Sequence, residues 1–219
     1  MNAWQEGRLK EFCDFYKWPI EDTRKMFENS REFFELVWRG MDPKTREEEE
    51  VYYNGPWLTL RQMSYTEDQG FPDYYKKFIS EMKLGGYLLD YGCGVGDTLI
   101  YAYNLKVNAT GVEVPGKGPF LNYRKDIRKG GWIVTEPSKP VFNWKYDRAI
   151  LSSILDHVPD PVGLATKVSS ATKGPILATP CIDETYDRPT HAKWILKNVP
   201  AAFEVINEHN NKIGAKIPA

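Results

Sequence analysis

The sequence predicts an α/β protein in which a mostly parallel, doubly wound sheet follows a helical N-terminal segment. From Tyr87 onward, short continuous apolar runs alternate with helix-like periodicity, which is typical of parallel strands joined by right-handed helical crossovers. A glycine-rich turn, Gly92 to Gly96, directly follows the first of these strands. Residues before 85 show only helical patterns. We therefore expect a helical cap over residues 1–84 and a sheet domain over residues 85–219.

The cap is predicted to consist of aromatic-rich helices. Residues 4–16 and 21–39 carry apolar side chains at helical spacing, and Pro19 separates the two runs. Further helices are expected to begin near Asp42-Pro43 and near Pro72. Residues 56–70 show the weakest periodicity, and no regular element is predicted there.

The aromatic content of the cap exceeds what its core can hold. Aromatic residues make up 14% of the chain, and a small cap has fewer core positions than aromatic side chains. We therefore expect some of them to line a ligand cleft as aromatic walls, which suit a neutral or cationic small molecule. The candidates are Tyr52, Tyr53, Trp57 and Tyr65.

Five strands of the sheet domain are expected near residues 87–91, 108–113, 131–135, 147–153 and 175–179. Asp160-Pro161 is a start signal for the helix after the fourth strand, and a last helix is expected near residues 192–198. Residues 203–209 and 212–217 flank Asn210-Asn211, and this pattern predicts a terminal antiparallel hairpin.

The glycine-rich turn indicates a particular kind of ligand. Gly92, Gly94 and Gly96 follow a Gly-x-Gly-x-Gly spacing, which lacks the extra residue that seats a pyrophosphate on a helix N-terminus. Asp90 places a negative charge that would repel a phosphate and attract an ammonium. Glu113, at the end of the second strand, lies about 20 residues after Gly92, where a carboxylate can bind ribose hydroxyls. A nucleoside with an ammonium and no phosphate fits, and S-adenosylmethionine is such a molecule.

Two motifs resemble the class I S-adenosylmethionine-dependent methyltransferases. Leu88-Leu-Asp-Tyr-Gly-Cys-Gly-Val-Gly96 resembles the first motif of that family, an apolar strand followed by an acid and Gly-x-Gly-x-Gly. Residues 146–161 resemble the fourth strand and its Leu-Glu-His-Val-x-Asp-Pro loop, with Asp156 in place of the usual Glu. The resemblance covers about residues 86–209. It implies a Rossmann-like fold with a seven-stranded sheet that ends in the antiparallel hairpin.

The resemblance also implies roles for individual residues. The methionine end of S-adenosylmethionine would lie at Asp90 and the glycine turn, the ribose at Glu113 and the adenine amino group at Glu136. The full set of implied cofactor-binding residues is Asp90, Gly92, Cys93, Gly94, Gly96, Glu113, Glu136, Ser152 and His157. The candidate substrate-binding residues are Tyr53, Tyr65 and His191. No catalytic residue and no metal ligand is assigned, because methyl transfer from a sulfonium mainly requires alignment and exclusion of water.

Charge favours a small-molecule acceptor over a nucleic acid. Twenty-nine Lys and Arg residues are balanced by 30 Asp and Glu residues, so no global positive field attracts phosphates. The leading hypothesis is methyl transfer to an oxygen or nitrogen of a small molecule. A second hypothesis is an RNA or protein methyltransferase. It is supported by a basic stretch that contains Arg124, Lys125, Arg128 and Lys129. A non-catalytic S-adenosylmethionine-binding protein is a third possibility. The dipeptide Pro180-Cys181 also leaves open a methylase that acts on a pyrimidine carbon.

The cysteines and the hydropathy pattern indicate the compartment. Cys13, Cys93 and Cys181 have no spacing typical of a zinc site or a disulfide framework. The sequence has no apolar signal region and no apolar run of about 20 residues. These observations predict a cytoplasmic protein without a membrane partner. They do not indicate the oligomeric state or the identity of the methyl acceptor.

Overall fold

The computed structural model describes residues 3–68, 73–180 and 193–215; within its helices, the side chains of residues 46, 65–68 and 193–196 lie outside that description. The described part of the chain begins with six helices that precede the first strand. Their bounds are α1 Ala3–Tyr16, α2 Ile20–Glu28, α3 Ser30–Met41, α4 Arg46–Asn54, α5 Pro56–Asp68 and α6 Asp73–Ser80. Helices therefore precede the first strand, as the sequence predicts.

The long helix expected over residues 21–39 is divided into α2 and α3. Asn29 leaves helical geometry between them, with φ −110° and ψ 35°. Its backbone N–H and its side-chain amide both donate to the carbonyl of Lys25, at 3.1 Å and 2.9 Å. Such local bonds of an asparagine side chain compete with continuation of a helix, and apolar periodicity does not report them.

Helix α5 occupies the segment for which no element was expected. Pro56 stands at its first position, where a missing N–H costs nothing. Leu60 and Met63 are fully buried on one face of this helix. The polar residues Arg61 and Gln62 lie between them and obscure the period in the sequence.

The sheet consists of five parallel strands in the described residues, in the order β3-β2-β1-β4-β5. This order places β1 beside both β2 and β4, so the chain reverses its direction of winding there. Ligands of doubly wound sheets bind outside the carboxyl ends of the strands at such a point. The bounds are β1 Tyr87–Tyr91, β2 Asn108–Val112, β3 Ile133–Thr135, β4 Arg148–Ser152 and β5 Ile176–Thr179.

Helices cover both faces of the sheet, and alternate residues of each strand point to opposite faces. Leu88, Ile150 and Leu177 pack against α6, α7 (Asp97–Asn104) and α8 (Gly118–Ile127). Leu89 and Ala149 face α9 (Pro161–Ala171) and α10 (Lys193–Lys212) on the other side. No helix of the described residues is long and apolar enough to cross a membrane.

The expected terminal hairpin is wrong where the structure describes it, because residues 203–209 belong to helix α10. Ala202, Ile206 and Asn210 are buried at intervals of four, which is a helical stripe. The Asn210 side chain accepts from Ile176 N at 2.9 Å and donates to Ile176 O at 3.0 Å. The outer edge of β5 is thus capped here by a helix side chain, and the described residues form a sheet of five strands instead of the expected seven. The end of the second predicted hairpin strand, residues 216–217, lies outside the described residues.

Candidate active site

The glycine turn between β1 and α7 has a backbone that requires glycine. Gly92, Gly94 and Gly96 have φ values of 82°, 56° and 81°, in the left-handed region that side chains disfavour. A Cβ on Gly96 would lie 2.7 Å from Leu121 Cδ2, and one on Gly92 would lie 3.0 Å from Ile154 Cγ1. The turn therefore brings bare backbone to the carboxyl edge of the sheet.

Glu113 lies directly against this turn. Its carboxylate accepts hydrogen bonds from Gly94 N at 2.6 Å and from Val114 N at 3.0 Å. Its own backbone N–H donates to Thr135 O at 3.0 Å, which fixes it beside the end of β3. Glu136 follows Thr135, is half-buried and accepts a hydrogen bond from Ser138 Oγ at 3.4 Å. The structure thus brings the predicted ribose and adenine acids to neighbouring strand ends.

Asp90 lies beneath the turn. Its side chain is 2% exposed and accepts a hydrogen bond from Thr98 Oγ1 on α7. Burial raises the pKa of Asp90 to about 7, and the carboxylates of Glu113 and Asp97 add to the rise, while the Thr98 hydrogen bond opposes it. The Cys93 thiol is also buried, and burial raises its pKa well above the usual range. Cys93 can therefore meet a ligand through its backbone, and its thiol belongs to the core.

Cap residues lie over the turn. The Gln62 amide of α5 approaches to 3.3 Å from the position a Cβ on Gly94 would take. Lys117, in the 3-10 turn Pro115–Lys117 after β2, donates to Gln62 Oε1 at 2.8 Å. Asn54, at the end of α4, accepts from Gly116 N at 3.0 Å. Two cap helices therefore contact the loops that follow β1 and β2.

Tyr53 and His157 form a second contact between cap and sheet. Tyr53 Oη lies 3.4 Å from His157 Nδ1, and the rings meet edge to face at 5.7 Å between centroids. His157 Nε2 lies 3.6 Å from Asp156 Oδ2. Both ring nitrogens thus face polar partners. Of the other aromatic candidates, Tyr52 is buried in the cap and donates to Phe34 O.

Ser152 belongs to a cluster of hydroxyl groups at the ends of β4 and β5. Tyr75 of α6 donates to Ser152 Oγ, which lies 3.1 Å from Thr179 Oγ1. Burial raises the pKa of the Tyr75 phenol far above its usual range, so it stays protonated. The cluster can offer neutral hydrogen-bonding groups to a ligand.

A buried ionic network ties helix α1 to the glycine turn. Arg8 binds both carboxylate oxygens of Asp97, at 2.7 Å and 3.0 Å, and Asp97 is the first residue of α7. Arg124 of α8 also donates to Asp97, at 2.9 Å, and to the carbonyl of Val95 inside the turn. Burial raises the pKa of Asp97, but the two guanidinium groups outweigh it and hold that pKa far below its usual range. Glu11 of α1 completes the network through Arg124 and Arg128.

Several residues at the carboxyl edge of the sheet were not predicted from the sequence, and some predicted residues lie outside the described part of the chain. Gln62, Lys117 and Tyr75 were not predicted; a lysine four residues after Glu113, within a Pro-Gly turn, is the only local signal among them. The side chain of Tyr65 and all of His191 lie outside the described residues. The Pro-Cys pair is described only as far as Pro180.

The donor set fits S-adenosylmethionine. The turn presents backbone at positions a Cβ would fill, and the Asp90 and Glu113 carboxyl groups flank it. Carboxylates are suitable partners for ribose hydroxyls and for an ammonium, and they oppose a phosphate.

Comparison with known proteins identifies the family. The sequence model of a family described as "Methyltransferase domain" matches residues 64–212, more than half of the chain. No curated protein sequence matches the chain.

Solved structures of similar shape include the [4+2]-cyclase SpnF, with TM-score 0.46, 20% identity and coverage of 59% of this chain and 56% of that one. A putative sarcosine dimethylglycine methyltransferase from Galdieria sulphuraria has TM-score 0.47, 15% identity and coverage of 64% and 55%. Magnesium protoporphyrin IX methyltransferase from Synechocystis PCC 6803, with bound SAM, has TM-score 0.46, 15% identity and coverage of 65% and 72%. Structural similarity at these TM-scores and identities does not indicate which reaction the protein catalyses.

The chain spans about half the length of the first structures it resembles, from 48% to 56%. The family match nevertheless includes the glycine turn, Glu113 and the loop after β4. The predictions of an α/β fold and of a methyltransferase family are confirmed. The chain therefore belongs to the methyltransferase domain family.

Proposed function

We propose that this protein transfers a methyl group to an oxygen or nitrogen atom of a small molecule. The observation that carries the proposal is the 2.6 Å hydrogen bond from Gly94 N to the Glu113 carboxylate, beside three glycines with left-handed backbone. It joins the two parts of the proposed nucleoside site, which are 19 residues apart in the sequence. When bound, S-adenosylmethionine supplies a methyl group activated by a sulfonium.

The chain's own residues would align the reactants and exclude water. In this proposal Asp90 and the glycine turn hold the methionine end, Glu113 the ribose and Glu136 the adenine amino group. Ser152 and His157 border the same site from the end of β4. Gln62 and Asn54 contact the loops after β1 and β2, so the cap helices shield this edge from solvent.

The acceptor is proposed to bind between the cap and the loop after β4. Tyr53 and His157 meet there, and Tyr65 and His191 remain candidate contacts. The partners of His157, Tyr53 Oη and the Asp156 carboxylate, orient its ring. This arrangement supports a positioning role. Proximity supplies larger rate factors than general-base assistance, which is typically worth about 10²- to 10⁴-fold.

The basic stretch supports this proposal over RNA methylation. Arg124 is buried against Asp97 and Glu11, and Arg128 pairs with Glu11. Two of the four predicted basic residues are thus paired with acidic side chains of the protein, and one of them, Arg124, is buried. A continuous phosphate-binding surface needs these charges exposed.

Calorimetric titration with S-adenosylhomocysteine tests the cofactor site. We expect one site in the wild type, and Glu113→Ala should weaken binding by roughly 1.5–3 kcal/mol, the range for a lost hydrogen bond to a charged group. Glu204→Ala, on the exposed surface of α10, is the matched control and should bind like the wild type.

Turnover separates the remaining alternatives. Mass spectrometry of a pool of small phenols, carboxylic acids and amines, incubated with the enzyme and S-adenosylmethionine, should reveal a methylated product. Failure of the folded wild type to bind S-adenosylhomocysteine would refute the proposed site. Tight binding without turnover across the pool would favour a non-catalytic binding protein.

A further inference from the structure

Lys117 is a buried cation beside the glycine turn, and the proposed reaction does not use it. The residue is 3% exposed. Its Nζ donates to Gln62 Oε1 at 2.8 Å, and this is its one hydrogen bond among the described residues. A lysine ammonium has three N–H donors. Two of them therefore have no protein acceptor in the described part of the chain.

The nearest acid does not neutralise this ammonium by contact. Burial lowers the pKa of Lys117, and the Glu113 carboxylate raises it through space. No ion pair within 4 Å joins the two residues in the described structure, and both Glu113 oxygens already accept backbone N–H groups. A buried charge without a direct partner is costly, and an anion beside it would be bound strongly.

The position of the ammonium relative to the turn is fixed by Gln62. The Gln62 side chain lies 3.3–3.4 Å from the site of a Cβ on Gly94, and its Oε1 holds Lys117 Nζ. Lys117 is therefore hydrogen-bonded to a side chain that lies against the bare backbone of the turn. A ligand that approaches Gly94 would also approach this cation.

We propose that Lys117, oriented by Gln62, binds the carboxylate of the methionine part of the cofactor. The inference rests on the proposed placement of S-adenosylmethionine at the glycine turn. The adenosine of that molecule is neutral and its sulfonium and ammonium are positive, so the carboxylate is its only anionic group. A buried cation at this place thus selects for an intact amino-acid end, and Lys117 is a specificity residue for the cofactor.

Calorimetry with two ligands tests this role in the full chain. S-adenosylhomocysteine carries the carboxylate, whereas its decarboxylated analogue keeps the adenosine, the thioether and the amino group. We expect the wild type to prefer S-adenosylhomocysteine by on the order of 10- to 100-fold, as for hydrogen bonds to charged groups. Lys117→Met should remove that preference by weakening S-adenosylhomocysteine alone. Lys117→Arg should retain part of it.

Lys167→Met, at an exposed position on α9, is the control and should leave both affinities unchanged. If Lys117→Met does not fold, Lys117→Gln serves in its place. Equal affinity of the wild type for the two ligands, or equal losses for both in a folded Lys117 variant, would overturn the inference. Absence of any S-adenosylhomocysteine binding to the wild type would instead refute the proposed function.

Discussion

Asp90 is an acid whose charge is controlled by burial. It is 2% exposed, and its pKa is raised to about 7 mainly by the loss of solvent. In the unfolded chain the pKa of the same group is near its ordinary value of 3.8. Between these values the folded protein holds a proton that the unfolded chain has released, so rising pH favours unfolding.

We therefore expect Asp90→Asn to reduce the pH dependence of stability. Between about pH 4 and pH 7, Asp90 should lower the free energy of unfolding of the wild type by up to about 1.4 kcal/mol per pH unit. Urea unfolding at pH 5 and pH 7 measures this slope. Asp126→Asn, at an exposed position, should follow the wild type. A slope that is the same in Asp90→Asn and the wild type would contradict this account.

At the scale of elements, helix α1 supports the glycine turn through Arg8. The Asp97 carboxylate that Arg8 holds is at the start of α7, and Arg8 also donates to Met63 O at 2.9 Å on α5. One side chain thus joins two cap helices to the loop that is proposed to bind the cofactor.

Arg8→Met should destabilise the protein and weaken cofactor binding together. Removing one partner of a buried ion pair typically costs about 3–5 kcal/mol, because the other charge is left buried. Thermal unfolding and titration with S-adenosylhomocysteine measure the two effects. Arg31→Met, which removes a surface ion pair with Glu35, should change both far less. The double variant Arg8→Met/Asp97→Asn should recover part of the lost stability, and a purely additive result would argue against the pairing.

The strands were predictable because their buried runs are continuous in the sequence. All five lie within about two residues of their expected bounds, as the apolar pattern of a buried parallel strand leads one to expect. Helix α10 was not predicted as one element. Phe203 and Val205 alternate like strand residues, and only packing shows that the stripe of Ala202 and Ile206 is the buried one.

The site was predictable only where its residues are close in sequence or belong to a motif. The glycine turn and Glu113 meet as their spacing predicts. Gln62 and Lys117 are 55 residues apart, and neither lies in a recognisable pattern, so their contact depends on how α5 packs on the sheet domain. Long-range packing of this kind is not encoded in any local periodicity.

At the scale of the whole molecule, the charge balance predicts weak affinity for RNA. The net charge is −1, and buried acids neutralise part of the basic stretch on α8. Fluorescence anisotropy with a labelled RNA hairpin should show no tight binding at about 150 mM salt, where phosphate contacts still support specific complexes. Binding that weakens steeply as salt increases would instead favour the RNA methyltransferase.

The Arg8–Asp97 contact also has a consequence for the order in which the molecule folds. Its two residues are 89 positions apart, and Arg124, which shares the same carboxylate, is 27 positions further on. Helix α1 is synthesised before the sheet, yet its buried arginine has no acidic partner at the turn until the chain has passed β1. Closing a loop of this length costs conformational entropy. Contacts with the sheet offset that cost only once the sheet has formed. We infer that the glycine turn reaches its final form late, when helix α1 docks onto a sheet that is synthesised after it.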